Sequence, residues 1–217
     1  GLHFFLWPSP GQTPGKERGM KHWTIRNSRN QDVLWQGEAE TFGKAVEQAV
    51  REGTNLACAD LAHADLSGLN LRRAQLRCAL LNETDLRGTD LSRSDLDMAQ
   101  ACEADLRGTD LSSARLSDTH LRHADLRHAD LSKAHLSSTR VYEVDFRHAD
   151  LSRVQLLNDS GDSIAEWKST DLRETDFTGA TLLTPQGSWT FATSDELRAV
   201  LREAAQRFNA DLADLPF

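Results

Sequence analysis

The chain has 217 residues, with 33 acids against 25 bases for a formal net charge of −8, and only 6% of it is aromatic. That length suits one elongated domain, no apolar run is long enough to span a membrane, and the acidic balance excludes the basic footprint of a nucleic-acid binder. Cys58, Cys78 and Cys102 make an odd count without a C-x-x-C pair, which points away from a disulfide framework or a zinc motif and toward a reducing, cytoplasmic setting.

Residues 1–19 precede Met20, a natural start, and share no pattern with the rest of the chain. They read as a non-native leader, or as an apolar arm carrying Phe4, Phe5, Leu6 and Trp7; a signal peptide would need a basic start and a longer apolar stretch. From His22 to Gly37 the patterns W-T-I-R and D-V-L-W-Q flank the polar N-S-R-N-Q and predict a β-hairpin. A helix is expected next, capped by Thr41, with Phe42, Ala45, Val46, Ala49 and Val50 on one apolar stripe and Gly53 as its stop. Residues 20–53 form an N-terminal cap on this reading.

From Leu56 to Leu156 an apolar residue, almost always Leu, recurs at every fifth position, twenty-one times in succession. A period of five fits neither 3.6 nor 2, so the chain must turn a corner at each unit rather than run on as a helix or flat strand. If each pentapeptide is one side of a square coil, the Leu and the small residue two before it both point inward, four units close a turn of about twenty residues, and coils stack about 4.8 Å apart. The units T-D-L-R-G, T-D-L-S-R, A-D-L-R-H and A-D-L-S-K state the rule. They resemble the pentapeptide-repeat proteins, whose A-(D/N)-L-X-X units imply an all-β solenoid, a right-handed quadrilateral β-helix, here of about six coils over residues 54–184. The hairpin and helix before it look like the cap found in many bacterial and phage members.

Two irregularities break the run. Ala101 takes the place of a central Leu, which predicts a local void or a compensating neighbour such as Met98. After Leu156 the next clear unit centres on Leu172, so residues 157–169 read as a loop expelled from a corner. If that loop replaces nothing, Leu172, Phe177 and Leu182 supply the remaining three sides of the sixth coil. Residues 185–217 form the C-terminal cap: a turn at Pro185, Gln186 and Gly187, the strand S-W-T-F-A-T, and a helix whose Thr193 and Glu196 have capping-box spacing. Its stripe of Leu197, Val200, Leu201, Ala204 and Phe208 is wide enough to predict a homodimer through this helix.

Residues 54–158 hold 16 acids and 13 bases, so the coil is nearly balanced and the arrangement of charge matters more than its sum. On the third face Asp65, Asp85, Asp105, Asp125 and Asp145 sit beside Arg87, Arg107, Arg127 and Arg147, which should pair them. The fourth face carries Asp90, Asp110, Asp130 and Asp150 beside Ser92, Ser112, Ser132 and Ser152 and is the more acidic stripe. These four Asp residues, with Trp167 of the loop, are the candidate partner-binding residues. Catalytic roles are not expected, because the repeat sets these carboxylates by rule on a convex surface and no G-x-S-x-G, H-E-x-x-H or phosphate-cradling loop occurs. His123, His128 and His148 lie on neighbouring sides, but a parallel ladder does not build a tetrahedral shell, so no metal or other cofactor is assigned.

The residues therefore predict a rigid, non-enzymatic module that displays fixed columns of Asp, Arg and Ser to a protein partner. The resemblance also implies an alternative, a DNA mimic that binds DNA gyrase or a related topoisomerase, inhibiting it or protecting it from a poison. Against that stands a magnitude: duplex DNA presents one charge per about 1.7 Å of axis, whereas an Asp column offers one per roughly 4.8 Å.

Overall fold

The structure is a computed structural model that describes residues 19–157, 170, 172–184 and 187–207. It contains β1 (Lys21–Arg26), β2 (Val33–Ala39), α1 (Phe42–Arg51), β3 (Gln155–Leu157), β4 (Thr181–Thr184), β5 (Gly187–Thr190) and α2 (Ser194–Arg207). Between α1 and β3 the chain consists of one repeating motif in place of long strands. A turn closes after each central Leu, as where the Ala64 N–H donates to the Leu61 carbonyl at 3.2 Å. The third residue of each turn sits in the left-handed region, as His63 does at φ 60° and Gly68 at φ 65°, which is the signature of a type II turn. The residue before the next Leu then forms a parallel bridge to its equivalent twenty positions on, in chains such as Asp65, Asp85, Asp105, Asp125 and Asp145.

Each face is tied to the next coil by three backbone bonds. On the third face the Leu66 N–H donates to Asp85 O at 2.8 Å, the Gly68 N–H to Arg87 O at 2.8 Å, and the Asp85 N–H back to Ala64 O at 3.0 Å. Inside, the Leu columns are excluded from solvent, and the residue two before each central side chain is mostly Ala or Thr, with Leu69, Ser94, Val144 and Val154, all buried, as the exceptions. The buried Thr hydroxyls are satisfied within the wall: Thr109 Oγ1 donates to Leu86 O at 2.8 Å and Thr119 Oγ1 to Leu96 O at 2.8 Å. Ser94 stands in the same inward position with its hydroxyl unpartnered.

The column break at Ala101 leaves a void of about 10 Å³ lined by Leu81, Ala99, Leu106, Thr119 and Leu121 among others. Met98 does not compensate for it, being 45% exposed. A turn's third residue points off the corner rather than into the coil.

Both ends of the ladder are covered. At the start, Asp60 N–H donates to Arg26 O of β1 at 2.9 Å and Ser28 N–H to Cys58 O at 2.8 Å. The Asn70 N–H, which has no coil below it, donates to Glu47 Oε1 of α1 at 2.9 Å. α1 is capped by Thr41 as its sequence predicts, and Gly43 lets it lie close, since a Cβ there would come within 2.5 Å of Asp65 O. At the far end Arg198 of α2 donates to Leu172 O at 3.3 Å and Thr175 O at 2.8 Å. In earlier coils the equivalent carbonyls accept from the next coil, as Leu61 O does from Thr84 Oγ1 and Thr84 O from the Asp105 N–H. Arg198 thus stands in for the missing coil. Thr193 Oγ1 accepts from the Glu196 N–H at 3.3 Å, while Glu196 reaches back to the Ala192 N–H at 2.9 Å, one residue earlier than a capping box requires.

The expected dimer stripe is partly used within the chain. Leu197 is fully buried and Val200 packs against the same core, so these two positions face their own coil. The side chains of Leu201 and Ala204, and Phe208 altogether, lie outside the described residues, as do Trp167, Pro185, Gln186 and all of residues 1–18.

The register after residue 157 corrects the count of units. Asp176 bridges Asp150, Thr175 Oγ1 donates to Phe146 O, and β4 pairs parallel to β3 with Leu182 opposite Leu156. Leu172, Phe177 and Leu182 therefore continue the third, fourth and first faces rather than the second, third and fourth, and the stretch read as an expelled loop lies outside the described residues. From Leu156 to Leu172 is sixteen residues, where two regular units take ten. Counting back five from Leu172 reaches Trp167 in A-E-W-K-S, a unit of the repeat's own pattern, which leaves residues 159–164 as the surplus. Deleting residues 159–164 should therefore restore a twenty-residue coil and change stability by no more than about 1 kcal/mol, whereas deleting residues 158–169 leaves a connection too short to cross a face and should unfold the last coil. Thermal melting of both variants checks this, and equal tolerance of the two deletions would refute the register. Ala101→Leu should raise stability by about 1 kcal/mol by refilling the column; a lower melting temperature would mean that the neighbours have already closed over the gap.

Candidate interaction faces

The outward side chains fall into columns because every turn has the same backbone conformation. The first of two chemically distinct columns runs up the third face. Arg87, Arg107, Arg127 and Arg147 each clamp the Asp of their own coil, at 2.5, 2.5, 2.6 and 2.6 Å. The first three also lie 3.6 Å from the Asp of the following coil. The result is a continuous Asp–Arg ladder in which no charge in the middle is left over. The Arg87 bond holds the Asp85 carboxyl below the usual carboxylate range, and the Arg107 bond does the same for Asp105, with burial opposing in each. The sequence reading of a paired face holds here.

The second column runs up the fourth face. Asp90, Asp110, Asp130 and Asp150 are half-buried, and each uses Oδ1 to accept the backbone N–H of the Ser two residues on, at 2.9, 2.9, 2.8 and 2.7 Å. This bond tightens the turn, and Asn70 makes it too, at 3.2 Å to the Arg72 N–H. Among the described residues, none of these four carboxylates has an ion-pair partner. Among the described residues the two Asp columns thus differ as their neighbours in sequence predict: one is neutralised by Arg and the other has no cation paired to it. Trp167, the fifth residue of the candidate set, is outside the described residues.

Sequence reasoning missed two further groups. On the first face Asp97, with its side chain 4% exposed, pairs with Arg115 and with Arg77 at 3.4 Å, and accepts the Ser117 N–H at 2.9 Å. This group, a buried carboxylate under two exposed arginines, joins three coils; counting columns in twenties would have aligned Arg77, Asp97 and Ser117. On the second face Arg122 lies over the Tyr142 ring at 5.4 Å, and Arg140 precedes Tyr142 on the same strand. That face is the one whose bridge column ends in His120 and Arg140 instead of Asp.

The histidines are placed as their spacing implies. His128 and His148 stack at 4.7 Å with rings parallel to within 1°, and His123 sits one side earlier, its Nδ1 2.8 Å from Glu143. Among the described residues no three or more His, Cys, Asp and Glu side chains converge on a common point. No helix among them is long and apolar enough to cross a membrane.

Comparison with known proteins agrees with the repeat. The family model described as pentapeptide repeats matches in eight copies, over residues 54–93, 70–108 and 114–153. No curated protein sequence matches the chain. Among solved structures, the chain is similar to a pentapeptide-repeat protein of the Arabidopsis thaliana thylakoid lumen, at 26% identity over 57% of this chain and 74% of that one, with a TM-score of 0.38. It is also similar to HetL of the cyanobacterium Nostoc, involved in heterocyst differentiation regulation, at 25% identity over 59% and 69% with a TM-score of 0.29. A third is full-length QnrB1, a plasmid-mediated fluoroquinolone resistance protein, at 18% identity over 69% and 85% with a TM-score of 0.23.

The electrostatics generate a pH prediction. Asp85 and Asp105 have folded pKa values below their unfolded ones, so the stability they contribute is present above the ordinary carboxylate range and is lost as pH falls through the folded values. The melting temperature should be level above about pH 5 and drop below about pH 4, and the drop should be shallower in the Asp85→Asn, Asp105→Asn double variant. An acid limb of equal depth in parent and variant would show that the ladder does not set acid stability.

Proposed function

This chain belongs to the pentapeptide-repeat family through its residues 54–108 and 114–153, and from that we propose that it is a rigid, non-enzymatic protein-interaction module, built as a solenoid of about six coils. In this reading residues 20–53 and 185–217 cap a repeat body of residues 54–184. The observation that carries it is the contrast between two stacked Asp columns. The third face spends its carboxylates on its own arginines, while Asp90, Asp110, Asp130 and Asp150 stand at ladder spacing with no cation among the described residues paired to them. A fixed row of bare charges on a wall that does not reorganise is suited to a basic surface of a partner protein, since the side chains are already ordered by their turn bonds and lose little entropy on binding.

The second reading, a DNA mimic directed at DNA gyrase, draws on the same column, a straight line of carboxylates along the solenoid axis. Its charge density is lower than that of duplex DNA, so mimicry would rest on this stripe alone.

One variant tests both readings. Changing Asp90, Asp110, Asp130 and Asp150 to Asn keeps the turn-closing oxygen and removes four charges, so the melting temperature should change little; neighbours at this spacing in water repel by only about 1 kcal/mol. Supercoiling by purified gyrase, with and without a fluoroquinolone, is then measured with parent and variant. An effect of the parent that weakens steeply with salt and is lost in the variant supports the gyrase reading. An effect that the variant retains in full removes the column from the binding site. No effect of the parent leaves the interaction module, for which a basic protein captured from lysate should be retained by the parent at low salt and released both by high salt and by the quadruple change.

A further inference from the structure

The corner after the first face carries three sulfur-bearing residues in successive coils. Cys58, Cys78 and Met98 occupy the same third position of the turn, with φ values of 58°, 57° and 63°. Their N–H groups make the same ladder bond to the coil above: Cys58 to Arg77 O at 2.8 Å, Cys78 to Asp97 O at 2.9 Å, and Met98 to Ser117 O at 2.8 Å. Identical backbones in register launch their side chains in parallel, one strand spacing apart. Both thiols are reduced and half-buried. Burial pushes the Cys58 thiol up, Arg29 opposes that, and the neighbouring Cys78 thiol adds to it, as expected of two sulfurs that face one another.

That spacing is wrong for one bond and right for another. A disulfide needs Cβ atoms about 3.8 Å apart, whereas a parallel ladder holds them at about 4.8 Å. Two metal–sulfur bonds of roughly 2.3 Å set end to end span roughly 4.6 Å, which matches the ladder. A third sulfur stands one coil on, where Arg77, which precedes Cys78, donates from Nη2 to Met98 Sδ at 3.3 Å and so ties the thioether to the coil that carries Cys78. Among the described residues no cluster of three or more His, Cys, Asp and Glu offers the tetrahedral shell that zinc takes. A donor set made only of thiolate and thioether selects soft ions.

We propose that Cys58 and Cys78 form a two-coordinate site for a soft monovalent ion of the copper(I) class, with Met98 as a weak third donor. Binding breaks two S–H bonds, forms two metal–sulfur bonds and releases two protons, with no change of oxidation state. Cys102 is the internal control: its column neighbours are Asn82 and Arg122, its N–H is held by Asn82 Oδ1 at 3.0 Å, and no sulfur stacks on it.

The test uses the full reduced chain under anaerobic conditions, titrated with copper(I) held by a chromophoric chelator. One ion per chain should be withdrawn from the chelator, and native mass spectrometry should show one copper gained for two protons lost. Cys58→Ser and Cys78→Ser should each weaken binding by about a hundredfold or more, Met98→Leu by up to about tenfold, and Cys102→Ser not at all. Full affinity in either Cys58→Ser or Cys78→Ser, an equal loss in Cys102→Ser, or uptake in proportion to the number of thiols would overturn the proposal. X-ray absorption on the unmutated protein decides the matter independently of any variant's folding: a first shell of two or three sulfurs at roughly 2.2–2.3 Å supports the site, and a shell dominated by nitrogen or oxygen refutes it.

Discussion

The fold depends on a backbone conformation that most of its residues disfavour. Every corner of the repeat places its third residue at positive φ, and glycine fills that position only at Gly68, Gly88, Gly108 and Gly179 among the described repeats. Elsewhere Arg, Glu, His, Ser, Lys, Cys, Asp or Met sits there, at a cost of about 1–2 kcal/mol per residue by steric crowding of Cβ. What offsets it is the ladder. Three inter-coil bonds per face and a central side chain withdrawn from water recur at each corner, so the strain is spread along the chain in step with the interactions that sustain it. The same spreading makes the ends the vulnerable places, since a terminal coil bears the cost of its turns with only one neighbour.

Each end meets that problem with the chemistry its side of the ladder leaves open. Each face turns one N–H and two carbonyls toward the coil below, and in the first coil two of those N–H groups, of Asp60 and Asn70, are met by the Arg26 carbonyl and the Glu47 carboxylate. The upper edge of the last described coil exposes carbonyls, and they are met by the Arg198 guanidinium. Each edge of this ladder presents both donors and acceptors, and Glu47 at one end and Arg198 at the other each meet one kind of them. Arg198 is also paired with Asp195, so the cation that covers the end is itself held in place.

Much of this was legible in the chain. A period of five sustained over twenty-one units admits few solutions, and Thr41, Gly53 and Thr193 have the roles that their spacing assigns, while Glu196 accepts one residue earlier than its spacing implies. The register beyond Leu156 was not legible, because a count of units says how many sides exist and not which side an interruption occupies; only the pairing of Asp176 with Asp150 and of Leu182 with Leu156 decides that. Leu197 and Val200 show a related limit. A helical stripe reports that a face is buried but not by what, and here its own coil does the burying. Asp97 was hidden by the regularity around it, since a carboxylate one place after the central residue lies outside the pattern that the eye tracks.

The Asp columns show where folding ends as an explanation and function must begin. A residue before the central Leu is useful to the turn because its side-chain oxygen accepts the N–H two positions on, and an amide oxygen serves as well as a carboxylate: Asn55 and Asn70 make the same bond that Asp90 and Asp110 make. The turn therefore specifies an oxygen and is indifferent to charge. On the third face the extra charge has a structural use, because an Arg of the same coil takes it up and passes it to the next. On the fourth face no described cation takes it up, and four carboxylates stacked at ladder spacing repel one another where four amides would not. On the proposed reading, a charge that the turn does not need and the described neighbouring coils do not use is left for a partner protein, and its sign would make the matching surface of that partner cationic.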